Sequence, residues 1–232
     1  MPAVGAALLM LTFHATVASA QPAAVSPQAE ARPAVQSQPA GQPAPTAAED
    51  DPKAWSFSAS VYGYSLPEES DYVQPTVTAD RGWLHLEARY NYEDLKTGSA
   101  WLGYNFSGGQ AFSWELTPMI GAVFGSTGGV APGYKALVSW RAVQFYTEGE
   151  YVFAAGESGE SFFYGWSELT VAPTGWFRAG LVEQRTHVSQ SEREINLGIL
   201  LGFTRGAWDV AAYVFNSDNT RPGIVLAASV GF

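Results

Sequence analysis

Apolar and polar residues alternate along most of the chain after residue 54, with the period of two that is typical of β-strands. In residues 84–92 one set of alternate positions reads Leu, Leu, Ala, Tyr and Tyr, and the other reads His, Glu, Arg and Asn. No apolar run in this region is long enough for a membrane-spanning helix. The pattern predicts twelve strands, near residues 55–64, 72–80, 83–92, 98–106, 111–124, 134–140, 143–153, 161–172, 176–185, 194–204, 207–215 and 223–232.

The connections between these strands are alternately longer and shorter. Residues 81–82, 141–142 and 205–206 form short turns, whereas residues 125–133 form a predicted long loop. Barrels of the bacterial outer membrane have short turns at one end and longer loops at the other, with an even number of strands. The sequence therefore predicts an all-β chain that forms a transmembrane, antiparallel, up-and-down β-barrel of about 12 strands.

Facing positions across the predicted two-residue turns have matching character. Counting outward from each turn pairs Ala79 with Leu84, Phe203 with Trp208, and Thr78 with His85. The same count pairs Lys135 with Glu148 across the middle turn. Since a slip of one residue would exchange the two faces, this agreement supports the strand assignment.

The energy of burying charge decides which face lies outside. A Lys or Arg that faces lipid at the middle of a bilayer costs about 2–4 kcal/mol. We therefore expect Arg89, Lys135 and Arg178 to face the lumen. The alternative, a lipocalin-like soluble barrel or a β-sandwich, would have to bury these charges or leave its aliphatic side chains in water. Aromatic residues near strand ends are expected to form interfacial girdles, namely Trp55, Tyr92, Trp140, Phe153 and Trp208.

The first 54 residues differ in composition from the rest. Residues 4–17 are an apolar run followed by the small-residue motif Ala18-Ser19-Ala20, which predicts a cleaved signal peptide over residues 1–20. No basic residue precedes Arg32, so we expect the true translation start to lie upstream; a buried apolar helix is the alternative. Residues 21–54 hold seven prolines and no aromatic residue, which predicts a disordered Pro/Ala-rich linker before a barrel domain over residues 55–232.

Composition and charge exclude several classes of function. The chain has no cysteine, and its 12 basic against 22 acidic residues give a net charge of −10. A strongly acidic chain has no basic surface for a nucleic-acid backbone, so nucleic acid is not an expected partner. The metal-protease, P-loop, dinucleotide and calcium-loop motifs are missing from the sequence, so we expect no metal and no cofactor.

The last strand carries the most specific signal. Apolar residues occupy every second position up to the final one, at Leu226, Ala228, Val230 and Phe232. This strand resembles the C-terminal assembly signal of bacterial outer-membrane β-barrel proteins. The resemblance implies a location in the bacterial outer membrane, with membrane lipid and the barrel assembly machinery as partners. It identifies no subfamily.

Charged and aromatic residues on the inner face are the candidate functional set. Together they predict a narrow, porin-like channel for passive diffusion of small neutral or cationic solutes. The alternative is a plugged barrel with a structural or docking role in the cell envelope. The predicted lumen-lining residues are His85, Glu87, Arg89, Trp101, Glu115, Lys135, Arg141, Tyr146, Glu148, Glu150, Tyr164, Trp166, Glu168, Arg178 and Tyr213.

One external loop carries residue types that could act in catalysis. His187, Ser189, Glu192 and Glu194 lie close together in sequence, as a base-activated serine in a surface lipid hydrolase would require. The spacing is generic, however, and an exposed, solvated polar loop is the simpler explanation. We therefore expect no enzymatic activity and keep the hydrolase as a third alternative.

Overall fold

The computed structural model describes residues 54–67, 70–155, 160–189, 194–216 and 221–232. The signal peptide predicted over residues 1–20 and nearly all of the linker lie outside the described residues. No helix in the described part is long and apolar enough to cross a membrane. The strands are β1 (Ser56–Ser65), β2 (Tyr72–Arg81), β3 (Leu84–Tyr90), β4 (Thr97–Tyr104), β5 (Phe106–Gly109), β6 (Phe112–Gly125), β7 (Gly129–Trp140), β8 (Val143–Ala154), β9 (Phe162–Thr174), β10 (Phe177–Val188), β11 (Glu194–Arg205), β12 (Trp208–Phe215) and β13 (Gly223–Gly231).

All strand pairs are antiparallel, and the sheet closes on itself. The first and last strands pair with each other, and β4 pairs with β6. β4 and β5 lie end to end along β6 in one register, interrupted at Asn105. The gap lies beside Pro118 of β6, which has no backbone N–H to donate. β4 and β5 together therefore act as one strand, and the predicted twelve-stranded up-and-down barrel is confirmed.

Short turns and longer loops lie at opposite ends of the barrel, as predicted. The short-turn end holds the start of β1, the end of β13 and five two-residue turns, at residues 82–83, 110–111, 141–142, 175–176 and 206–207. The loop end holds the other connections, at residues 66–71, 91–96, 126–128, 155–161, 189–193 and 216–222.

The prediction of a long loop over residues 125–133 is wrong. β7 begins at Gly129 and pairs with β6 from that residue onward, so only residues 126–128 connect the two strands. Gly129 and Pro132 both fit the strand. A Cβ atom at Gly129 would lie 2.2 Å from the carbonyl oxygen of Phe153 on β8. Pro132 interrupts the pairing with β8 without changing its register.

Two of the predicted hairpin registers are wrong by two residues. Ala79 pairs with Leu86 and Phe203 with Val210, because the turns are residues 82–83 and 206–207. Gly82 and Gly206 have φ values of 57° and 62°, so each glycine takes the first turn position, where a left-handed conformation is required. The predicted pair Lys135–Glu148 is in register as expected.

The two faces of the barrel wall have opposite chemistry. Large apolar side chains are exposed on the outside of every strand, among them Val77, Leu102, Ile120 and Leu197. Charged, polar and aromatic side chains are buried inside. At the seam between β1 and β13, Phe232 stacks on Phe57 with ring centroids 5.9 Å apart, and their backbones exchange hydrogen bonds of 2.8 and 2.9 Å. A soluble barrel would place its aliphatic side chains inside instead.

Candidate functional site in the barrel interior

The first feature of the interior is a network of ion pairs centred on Glu87. His85, Glu87 and Arg89 are alternate residues of β3, so all three side chains point inward. Glu87 accepts hydrogen bonds from Arg89 Nε and Lys135 Nζ, and its Oε2 lies 3.0 Å from His85 Nε2. His85 Nδ1 lies 2.7 Å from Asp80 Oδ1. We call these residues, with Glu150, the Glu87 network.

Arg89 links β3 to a strand four positions away around the wall. Its Nη1 donates a hydrogen bond of 2.8 Å to Glu150 Oε2 on β8. Its guanidinium carbon also lies 3.7 Å from the ring centroid of Tyr92 and 4.4 Å from that of Trp101. A cation held over aromatic faces in a dry site is stabilised by the ring quadrupoles. Arg89 is therefore held by carboxylates and by rings at once.

Two glycines make room for the Trp101 ring. A Cβ atom at Gly121 would lie 2.5 Å from Trp101 Cδ2, and one at Gly133 would lie 3.1 Å from Cζ3. The indole therefore lies flat against β6 and β7, with the Arg89 guanidinium near its ring. Small residues in the wall are thus part of how the interior is filled.

We expect Gly121→Val to lower the free energy of unfolding by about 1–3 kcal/mol, the usual cost of overfilling a packed interior. The Arg89 guanidinium, 4.4 Å from the ring centroid, opposes a shift of the ring. Gly63→Val is the control, since the nearest atom to a Cβ there, the Leu226 carbonyl oxygen, lies 4.0 Å away. Urea titration of both folded variants measures the difference. Equal losses would contradict the packing assigned to Trp101.

The loop between β3 and β4 adds a carboxylate above the network. Glu93 accepts hydrogen bonds from Ser99 Oγ and from Trp101 Nε1, the latter at 3.2 Å. Burial raises the pKa of the Glu93 carboxyl above its usual range, and the positive charge of Arg89 partly offsets that rise. The carboxyl oxygen Oε2 has no hydrogen-bond partner within the described residues.

The second feature is an aromatic cluster on the other half of the wall. Trp166 on β9 contacts Tyr213 and Phe215 on β12, in edge-on geometry with both centroid distances 5.4 Å. Trp166 and Tyr213 are completely buried. The buried members of the aromatic cluster are Tyr62, Tyr64, Tyr164, Trp166, Val182, Leu200, Ala211, Tyr213, Phe215 and Val225.

Hydrogen-bonded carboxylates border the aromatic cluster. Trp166 Nε1 donates to Glu168 Oε1 at 3.1 Å, and the Tyr146 hydroxyl donates to Glu148 Oε2 at 2.7 Å. Arg178 forms a two-pronged ion pair with Asp209, whose Oδ1 lies 2.8 Å from Arg178 Nη2. Paired hydrogen bonds of this kind hold both side chains in fixed orientations.

Side chains from distant strands meet inside the barrel. The Arg89–Glu150 ion pair joins β3 to β8, which lie four positions apart around the twelve-membered wall. Tyr92, just after β3, contacts Tyr164 on β9 with ring centroids 6.2 Å apart. The members of both groups are largely shielded from solvent. Side chains therefore bridge and fill the interior of the barrel at the heights of the Arg89–Glu150 and Tyr92–Tyr164 contacts.

Acidic groups outnumber basic ones among the interior side chains. The acidic residues are Asp80, Glu87, Glu93, Glu148, Glu150, Glu168 and Asp209, and the basic residues are Arg89, Lys135 and Arg178. Glu148 Oε1 and Glu150 Oε1 lack hydrogen-bond partners within the described residues. In the same part of the chain, no group of acidic and histidine side chains is arranged to hold a metal ion. The interior can thus hold cations better than anions.

Several predicted positions and contacts need correction. Arg141 was expected in the lumen, but it is exposed in a turn and its guanidinium lies 4.8 Å from the centroid of the outward Trp140 ring. Tyr92 was expected in a girdle, but it is buried, because Asn91 adopts a φ of 56° and turns the chain inward. Glu115 keeps the inward alternation of Met119 and Gly121 on β6, and it is solvent-exposed because it lies near the short-turn end. The remaining predicted lumen residues are buried or half-buried, namely His85, Glu87, Arg89, Trp101, Lys135, Tyr146, Glu148, Glu150, Tyr164, Trp166, Glu168, Arg178 and Tyr213.

The partners of two cations also differ from those predicted. Lys135 is paired with Glu87, although Glu148 is its neighbour in register. Arg178 is paired with Asp209 and not with Glu168. Sequence reasoning missed Asp80, Glu93 and Asp209. The alternation within β2 and β12 could have identified Asp80 and Asp209 as inward-facing. Asp80 lies two residues after the buried Thr78, and Asp209 lies two residues before the buried Ala211.

The residues considered for a lipid hydrolase do not converge. His187 is exposed on the outward side of β10, and Ser189 Oγ lies 3.4 Å from the Tyr151 hydroxyl. Glu194 pairs with the inward-facing Thr186 and accepts a hydrogen bond from Asn196. Glu192 lies outside the described residues. No base and nucleophile are therefore brought together among the described members of this set.

No model of a protein family matches this chain, and neither does any curated protein. The functional conclusion therefore depends on the geometry of the barrel and on the chemistry of its two faces.

Proposed function

We propose that this protein is an integral β-barrel of a bacterial outer membrane whose interior is closed, and that it serves as a structural or docking barrel of the cell envelope. The observation that carries this proposal is the set of contacts across the lumen, above all the Arg89–Glu150 ion pair. An open diffusion pore needs a continuous solvent path, whereas these side chains meet within the lumen.

The outer surface supports the membrane location. Trp55, Trp140, Phe153 and Trp208 are exposed near the strand ends, as interfacial aromatic girdles would require. Between them the exposed side chains are mostly aliphatic. Exposing this surface to water would leave a large apolar patch around the whole barrel, which soluble monomers rarely carry.

Assembly follows from the same proposal. Leu226, Ala228, Val230 and Phe232 alternate with the inward-facing residues of the closing strand β13, and Leu226 and Phe232 are strongly exposed. We propose that this strand is the signal read by the barrel assembly machinery. Its pairing with β1 then closes the barrel in the membrane.

A narrow channel for small neutral or cationic solutes is the second candidate. The excess of carboxylates over Arg and Lys in the interior favours it, because such a lumen would attract cations and repel anions. For this function the Arg89–Glu150 contact would have to open.

Conductance of the full chain in planar bilayers separates the two functions. We expect no steady conductance from protein that is demonstrably folded by its heat-modifiable migration in gels. Steady conductance whose cation selectivity falls with Glu148→Gln would overturn the closed barrel and establish the channel. The variant Trp208→Phe is the control, since this outward residue faces away from any conducting path.

A further inference from the structure

One ion pair lies on the outer face of the barrel. Glu183 and Arg185 are alternate residues of β10, and Arg185 Nη2 donates a hydrogen bond to Glu183 Oε1. Both point outward, because the intervening Gln184 and the flanking Val182 and Thr186 are buried. The side chain of Glu183 is 32% exposed and that of Arg185 is 43% exposed. Between the two rims, no other Asp, Glu, Lys or Arg occupies an outward position on the described strands.

Polar and small residues continue this feature onto the neighbouring strands. Glu183 pairs with Ser167 on β9, and Ser167 pairs with Thr147 on β8. The two hydroxyl oxygens lie 3.0 Å apart. Arg185 pairs in the same way with Gly165, which pairs with Gly149. We call these residues the polar patch; its members are Thr147, Gly149, Gly165, Ser167, Glu183 and Arg185.

The polar patch borders the apolar band on its short-turn side and continues toward the loops on β10, where His187 is exposed at the next outward position. Toward the short turns it is followed by Leu169 and Leu181, which are 48% and 61% exposed. Toward the loops, β8 continues with the exposed Phe153. On the adjoining strand, Leu197 pairs with Glu183 and is 62% exposed. Lipid chains would therefore be expected to border the patch on its short-turn side and along β11.

Hydrocarbon offers no hydrogen bonds to these groups. Charged residues at membrane depth are rare and usually face protein or a water-filled cavity. The internal ion pair neutralises the net charge, but Arg185 Nε still has no hydrogen-bond acceptor within the described residues.

We infer that the polar patch is the surface through which two copies of this barrel associate in the membrane. The inference rests on the proposed membrane location. The patch carries one acid, one base and two hydroxyl groups, so it is complementary to itself. A two-fold dimer requires such self-complementarity, because the same patch serves both subunits. A surface that binds a different protein does not have to carry an acid and a base in equal number, because the partner can supply the opposite charge.

The geometry of the strands fits this arrangement. Copies inserted in the same direction are related by a two-fold axis along the membrane normal. Barrel strands are tilted by roughly 35–45°, so Glu183 and Arg185 are displaced sideways from each other on β10. The rotation keeps the height of every residue, so it brings Glu183 of one copy to the sideways position of Arg185 of the other, with the two residues at neighbouring heights.

Single-cysteine crosslinking of the full chain tests the dimer, because the native chain has no cysteine. We expect Ser167→Cys in phosphatidylcholine vesicles to give mainly disulfide-linked dimer on oxidation. Val77→Cys is the control, since it is exposed on β2, six positions around the wall from β9. Thr147→Cys replaces Ser167→Cys if that variant does not fold.

The outcomes distinguish a failure of the proposed membrane location from a failure of the proposed dimer. Failure of the native chain to insert, shown by complete digestion with protease, would overturn the membrane location itself. An inserted barrel that stays monomeric, or that crosslinks equally from Val77→Cys, would overturn the dimer alone. Crosslinking of Ser167→Cys in cells to a different protein, without a homodimer, would assign the patch to that protein and also overturn the inference.

Charge variants test the contact itself. We expect Arg185→Met to weaken dimerisation about thirtyfold or more, the lower range for removing one partner of a buried charge pair. Arg205→Met is the control, because it removes an outward arginine at the short-turn rim. Arg185→Glu and Glu183→Arg chains should each remain monomeric and should form a mixed dimer when combined. Full dimerisation of Arg185→Met would contradict the proposed contact.

Discussion

Replacing Arg89 with methionine is expected to lower the free energy of unfolding by about 3–5 kcal/mol, the usual cost of removing one partner from a buried ion pair. Arg89 neutralises Glu87 and Glu150 and lies over the rings of Tyr92 and Trp101. Methionine fills part of the same space but leaves the carboxylates without their common cation. Urea titration of the barrel folded in vesicles, followed by tryptophan fluorescence, measures the loss.

The control for Arg89 is Arg81→Met. Arg81 is exposed at the short-turn rim, and its guanidinium lies 5.7 Å from the Trp55 ring centroid. An exposed contact of this kind contributes about 0.5–1 kcal/mol. We also expect Glu150→Gln to recover part of the loss caused by Arg89→Met, because one uncompensated carboxylate is then absent. A loss for Arg89→Met no larger than for Arg81→Met would show that the Glu87 network does not stabilise the barrel.

Replacing Trp166 with alanine should lower the free energy of unfolding by about 3–5 kcal/mol, as for other large aromatic residues in packed interiors. Trp166 is 0% exposed, contacts Tyr213 and Phe215, and donates a hydrogen bond to Glu168. The substitution leaves a cavity in the aromatic cluster and removes a donor from a buried carboxylate. The same urea titration measures this loss.

Trp208→Ala is the matched control for the aromatic cluster. Trp208 is 59% exposed on the outer face, so its removal leaves no internal cavity. We expect less than half the loss caused by Trp166→Ala, since only the surface contact disappears and the cavity cost is absent. Similar losses for the two variants would mean that the cluster around Trp166 is loosely packed, which would weaken the argument for a closed interior.

Alternation predicted the two faces of the wall well, and it predicted contacts across the lumen poorly. Each strand shows in its own sequence which side chains point inward, as His85, Glu87 and Arg89 do. The partners of those side chains depend on how strands far apart around the wall are tilted and staggered. Lys135 illustrates the difference: Glu148 is its neighbour in register, whereas its ion pair is with Glu87.

Turns explain the errors in register. A slip of two residues keeps every side chain on its original face, so the apolar pattern cannot detect it. The prediction placed Gly82 and Gly206 at the second turn position, whereas both occupy the first. Arg141 also adopts a positive φ, of 55°, in the one hairpin whose register was predicted correctly. The backbone geometry of the turn therefore decides the register.

The sequence by itself determined the fold class, the strand number, the apolar outer face and the inward position of most charged residues. These properties follow from alternation within each strand and from the cost of placing charge in an apolar medium, both of which are local. Only the tertiary structure decided that Arg89 reaches Glu150, that Trp101 lies against Gly121 and Gly133, and that Tyr92 turns inward. Whether side chains meet across a lumen depends on the diameter and stagger of the closed wall, which no single strand encodes.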